Sequence, residues 1–163
     1  MALLLCLVLL SQVHADAPFA YTGDNSLITK PQMVLASTPD QWKEIWERHT
    51  GNKSDRSSKQ IPWVSFQSHV VLCIFGGKVG QQAGYTLLEA APVGDKLRVR
   101  YVPQYFSVGF NPRQKVDWSR TPYAFVVVSR RYTAVVLEEG IIKSKVDPPT
   151  EFRYVEELGM PER

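Results

Sequence analysis

Apolar residues run without a break from Val70 to Phe75, and the run is rich in β-branched types. Residues 69–75 therefore read as a buried strand. Tyr85-Thr86-Leu87-Leu88-Glu89-Ala90-Ala91 reads as its partner strand, of similar length. Nine residues separate the two runs, and four of them, Gly76, Gly77, Gly80 and Gly84, are glycine. Glycine costs chain entropy unless the backbone needs positive φ or passes close to something. The segment thus predicts a shaped, exposed loop at a sheet edge.

Upstream the period changes. Thr38-Pro39-Asp40-Gln41 carries a helix N-cap, a proline fit for the first helical position and the Gln of a capping box. Trp42, Ile45, Trp46 and His49 follow on one face, with Lys43, Glu44, Glu47 and Arg48 on the other. A helix of about 11 residues is marginal alone in water, so the tryptophans must dock on the sheet. At this spacing core anchoring outweighs an aromatic ligand platform.

Downstream, Leu97, Val99 and Tyr101 alternate with Arg98 and Arg100. Gly94-Asp95 before them predicts a hairpin back to residues 85–91. Pro122 to Val128 and Tyr132 to Leu137 read as two more strands, joined by the short turn Ser129-Arg130-Arg131. Residues 16–26 are a turn-rich lead-in, and residues 27–36 alternate loosely, compatible with an edge strand around Pro31. Residues 51–60 read as a solvent loop that includes the glycosylation sequon Asn52-Lys53-Ser54. The charged tail from 138 to 163, broken by Pro148-Pro149, holds a weak strand signal at 151–155. Together these predict an α+β fold: a mostly antiparallel sheet of five or six strands with one amphipathic helix packed on it.

Composition narrows the function. The 163 residues suit one domain and a targeting segment, and 44% hydrophobic content supplies a core of ordinary density. Lys and Arg exceed Asp and Glu by 19 to 16, with no basic run longer than Arg130-Arg131. That argues against nucleic acid, which needs a concentrated cationic stripe. Residues 1–15 combine an apolar run from Ala2 to Leu10 with the small-residue site Val13-His14-Ala15. They read as a signal peptide cleaved near Ala15, too short to span a bilayer. The mature chain is then exported, to a periplasm, the extracellular space or the cell surface, with no membrane span and with Cys73 as its one cysteine.

No catalytic constellation emerges. His69 and Cys73 lie four apart on one strand, about 13 Å apart at ~3.3 Å per residue, so Cys73 reads as an inert core thiol. The two histidines and one cysteine left in the mature chain, with no close spacing, make no zinc site. The glycine segment resembles a phosphate loop in composition only, since such a loop needs Gly-x4-Gly-Lys-Ser/Thr and nothing like that follows Gly84. No enzyme activity, metal or cofactor is expected. The aromatics of residues 103–120 (Tyr105, Phe106, Phe110, Trp118) either cover one face of the sheet or join the glycine loop in a protein-binding edge.

The order of the pieces carries a resemblance. Gln41-Trp42-Lys43-Glu44-Ile45-Trp46 precedes Ile61-Pro62-Trp63-Val64-Ser65-Phe66, then Val70 to Gly77, Ala83-Gly84-Tyr85, and Thr121-Pro122-Tyr123-Ala124-Phe125-Val126-Val127-Val128. Over residues 38–137 this resembles the C-terminal domain of the PrcB family, named for a subunit of an exported bacterial protease complex. Ser65 stands where that family has Asp, and Gln82-Ala83-Gly84-Tyr85 where it has Thr-Gly-Gly-Tyr. The resemblance implies an exported, non-catalytic domain that supports or joins other proteins. A fainter likeness, Gly84-Tyr85 alone, is to the chagasin-type cysteine-protease inhibitors. It implies a runner-up function, protease inhibition through the loop at 76–85. The expected partner-binding residues are Gly76, Gly77, Gly80, Gln82, Gly84, Tyr85, Tyr105, Phe106, Phe110 and Trp118, facing a protein partner.

Overall fold

Residues 69–75 are apolar at every position but the first because they lie at the centre of a layered structure, with a core on each side. The computed structural model describes residues 20–51, 61–106, 118–143 and 147–162. The expected signal peptide and its expected cleavage point near Ala15, the Asn52 sequon and Phe110 lie outside the described residues. In chain order the elements are β1 (Ala20–Gly23), β2 (Gln32–Ala36), α1 (Pro39–Thr50), β3 (His69–Phe75), β4 (Val79–Gly80), β5 (Gln82–Val93), β6 (Lys96–Tyr105), β7 (Ser119–Arg120), β8 (Tyr123–Ser129), β9 (Ala134–Gly140) and β10 (Phe152–Gly159).

The α+β class holds, mostly antiparallel and with one helix docked on a sheet. The strands, however, divide into two four-stranded sheets instead of forming one. The first runs β1-β8-β3-β2 and the second β10-β9-β6-β5, with β4 and β7 as a separate two-stranded ribbon. Every pair is antiparallel except β6 with β9. Val70, Leu72 and Ile74 of β3 meet Leu97, Val99 and Tyr101 of β6 and Val135 and Leu137 of β9 between the sheets. Val71, Cys73 and Phe75, the alternate set, face Trp42, Ile45 and Trp46 of α1. A strand with a core on each face cannot alternate in polarity.

This arrangement corrects one expectation. The run at 85–91 is not the partner of β3, which pairs with β2 and β8, while β5 pairs with β6. The glycine segment therefore crosses from one sheet to the other instead of closing a hairpin. The hairpin signal at Gly94, whose φ is 63°, wins β5 for β6. A second difference lies in the lead-in, where β1 pairs with β8 over four residues. The tail also belongs to the fold: β9 runs past Leu137 to Gly140, and β10 pairs along it.

Local signals account for the rest. Thr38 Oγ1 accepts the Gln41 N–H at 3.2 Å, Pro39 opens the helix, and Gly51 (φ 74°) ends it by donating to Glu47 O at 2.8 Å. Gln41 Oε1 reaches one residue further back than a capping box requires, accepting the Ser37 N–H at 2.9 Å. The outward residues of β6 form a ladder in which Arg98 meets Glu89 at 2.8 Å and Arg100 meets Glu138 at 2.7 Å. The Arg98 hydrogen bond holds the Glu89 carboxyl below its ordinary range.

Candidate functional site

Leaving β3, the chain is pinned at once. Gly76 donates to Pro122 O at 2.9 Å, and a Cβ there would lie 2.5 Å from Tyr85 Oη and 2.8 Å from Pro122 Cγ. Gly77 adopts φ 70° against Pro31, where a Cβ would sit 2.8 Å from the proline ring. Lys78 donates to Thr29 O at 3.0 Å. These glycines exist because the chain packs against itself, not because the loop is free.

The next residues make the ribbon. Val79 pairs with Arg120 and Gly80 with Ser119, and a Cβ on Gly80 would meet nothing within 4 Å. Gln81, at φ 55°, donates to Trp118 O and accepts from the Phe106 N–H, both at 3.1 Å. Gln82 opens β5 opposite Tyr105, and its side chain, buried, donates to Gly84 O at 3.1 Å. Three stretches distant in sequence, 79–82, 105–106 and 118–120, thus meet at one place.

The patch they form is aromatic and cationic. Phe106 and Trp118 stand edge-to-face with centroids 6.3 Å apart, and the Arg120 guanidinium lies 5.3 Å from the Phe106 ring centre. Asp24 anchors Arg120 at 3.3 Å. Tyr105 is 64% exposed beside them. Gly80, Gln82, Tyr105, Phe106 and Trp118 of the expected set are therefore brought together here.

Gly84 and Tyr85 belong to a different environment. Gly84 takes φ 137°, and a Cβ on it would come within 2.5 Å of Thr22 Oγ1 and 3.2 Å of Gly23 O. Thr22 Oγ1 accepts the Tyr85 N–H at 2.8 Å and donates to Tyr123 O at 2.9 Å, tying β5 to β1 across the corner of the two sheets. The Tyr85 ring is half-buried, edge-to-face with Tyr101 at 5.5 Å, and packs on the core between the sheets. Burial raises its hydroxyl above the ordinary tyrosine range, with a Gln82 hydrogen bond acting the other way. Gly76, Gly77, Gly84 and Tyr85 lie on the inner side of the crossing.

Sequence reasoning missed Arg120, Asp24 and Gln81. Trp118 and Arg120 do stand two apart, the spacing that puts two side chains on one face of an extended segment. It also missed Trp63, 87% exposed on a segment whose neighbours Val64 and Phe66 pack under the helix and whose Pro62 O accepts the Trp42 indole N–H at 3.0 Å. Burial pushes the Cys73 thiol far above its ordinary value, so the thiolate is strongly disfavoured. Among the described residues, no group of three or more His, Cys, Asp or Glu side chains could hold a metal ion. Between the sheets, a void of about 10 Å³ beside Tyr85, Leu87 and Tyr101 has room for about one water. No helix among the described residues is long and apolar enough to cross a membrane.

Compared with protein-family models, characterised proteins and solved structures, the chain matches none.

Proposed function

We propose that the chain is an exported, non-catalytic protein-interaction domain, and that its partner docks on the patch around the β4–β7 ribbon. The convergence of Gly80, Tyr105, Phe106, Trp118 and Arg120 from three separated stretches carries this reading. Tyr, Trp, Phe and Arg are the side chains enriched at interface centres, where large rigid area and a weakly hydrated cation bind at low entropic cost. Glycine at 80 leaves the ribbon open to close approach. The likeness to the PrcB family, which rests on the residues quoted above, supports the same class of function. Export rests on the apolar run and small-residue site within residues 1–15.

The patch is a better-supported contact than the glycine segment as a whole. Gly76, Gly77 and Gly84 are pressed against Pro122, Pro31 and Thr22, which leaves them little freedom to plug a protease cleft. The test is affinity capture from a native envelope extract, with the chain and its Tyr105→Ala variant as parallel baits. A protein held by the first and lost from the second, at unchanged melting temperature, is the expected result. Recovery of the same proteins by both baits would sink the assignment. If the captured protein is a protease, titrating it with the chain separates a scaffold (activity kept) from an inhibitor (activity lost stoichiometrically).

A further inference from the structure

The two sheets end in four edge strands, and three of them carry devices that block further pairing. β1 is four residues long and lies against β5, joined through Thr22 Oγ1 and the Tyr85 N–H. β5 has register breaks at Gln82/Gly84 and Leu87/Glu89, and Pro92 near its end. β10 has a break at Tyr154/Glu156 and bears Arg153, Glu156 and Glu157. Bulges, prolines, charges and covered edges are the usual protections of a strand that must not recruit another. Among the described residues, β2 itself has none of them, and Pro31 stands just before its first residue. Gln32-Met33-Val34-Leu35-Ala36 is uncharged and pairs with β3 in unbroken register over all five residues, and no described strand pairs with its outer side.

We propose that β2 pairs antiparallel with the β2 of a second copy of this chain, about a two-fold axis at Val34. The strand is complementary to itself in that register. Met33 opposes Leu35, and both already border the core between the sheets, so the pair extends that core across the axis. Val34 opposes Val34 on the helix side, and Gln32 opposes Ala36. No like charges face one another, and Lys30, the nearest charge upstream, opposes uncharged Thr38. The ladder also ends cleanly. Pro31 has no N–H to offer, and the residue opposite it, Ser37, has already given its N–H to Gln41 Oε1 at 2.9 Å. The result is an eight-stranded sheet continuous through both copies. Five paired residues make a ribbon about 17 Å long, which buries less than the roughly 1,200–2,000 Å² of a standard interface. The dimer is accordingly reversible.

Sedimentation equilibrium over a range of concentrations tests this. The expected result is a monomer–dimer equilibrium. Val34→Lys, which sets two ammonium groups opposite each other, should weaken it by about fivefold, as should Val34→Glu. An equimolar mixture of the two variants should restore association. Val34 also packs on the helix core, so hydrogen exchange of the unmodified chain gives a reading that needs no variant. Protection of the β2 amides should rise with concentration while that of β10 stays constant. A chain monomeric throughout, whether or not some foreign peptide protects β2, overturns the proposal. So does a dimer that protects the β4–β7 ribbon and leaves β2 unchanged. Capture at the ribbon and association through β2 rest on different residues, so either can fail without the other.

Discussion

Under the helix, Trp42, Trp46, His49, Phe75, Tyr123 and Phe125 interlock with ring centroids 4.1–6.1 Å apart, and none is more than 4% exposed. At the ribbon, Phe106 and Trp118 stand 6.3 Å apart, Arg120 lies over one ring, and Tyr105 is mostly in solvent. The residue types are much the same, but the surroundings are not. The first cluster is closed on all sides by regular elements, so its rings act on stability. The second is held by backbone bonds among Gln81, Phe106 and Trp118, which leave Phe106, Trp118 and Arg120 half-buried and Tyr105 exposed. Aromatic content alone does not separate core from interface; what encloses the rings does.

The sharpest way to break the comparison is Trp42→Ala. Its indole contacts Trp46 at 5.4 Å and Phe125 at 4.9 Å, and its N–H holds Pro62 O. Truncating a fully buried tryptophan costs ~3–5 kcal/mol, a large share of the ~5–15 kcal/mol that stabilises a typical domain. Urea denaturation should show the unfolding free energy falling by that amount, with a correspondingly lower midpoint. A loss under 1 kcal/mol would mean that the helix is not anchored through this ring.

A smaller effect separates the two ends of the glycine crossing. Gly84→Ala must hold φ 137° with a Cβ within 2.5 Å of Thr22 Oγ1, disturbing the bonds that join β5 to β1. A side chain forced into such a conformation costs ~1–3 kcal/mol. Gly80→Ala meets open space and should change stability by less than ~0.5 kcal/mol. Thermal melts of the two variants side by side read the difference. Equal shifts would show that the crossing is not anchored at one end and open in the middle.

How much of this the sequence disclosed follows from how local each signal is. The helix was legible to within a residue because Thr38, Pro39 and the Trp42–His49 spacing all act within a few turns. So was the inward set Leu97, Val99 and Tyr101, since alternation fixes a face without naming a neighbour. Pairing is another matter. The run from Val70 to Phe75 announces burial, but nothing in it says that β2 and β8 flank it, 35 or more residues away. Four glycines announce close approach, but not whether the approaching group is a ligand or, as at Gly77 and Gly84, the chain's own Pro31 and Thr22. The patch is harder still. Val79–Gly80 and Ser119–Arg120 are too short to carry a period, and they meet only after both sheets have formed.

Tyr105→Ala should produce the smallest change in stability and so bears hardest on the comparison. The ring is 64% exposed at the end of β6, where truncation removes little buried area. Surface substitutions of this kind stay within ~0.5 kcal/mol, and the melt should be indistinguishable from that of the unmodified chain. That near-null result is what makes the capture experiment readable, because a partner lost from this variant cannot then be blamed on unfolding. Should Tyr105→Ala instead melt as early as Gly84→Ala, the ring would be a buttress of the ribbon. The two aromatic clusters would then differ in exposure but not in role, and the docking patch would have to be sought elsewhere, with Trp63 the next exposed aromatic to test.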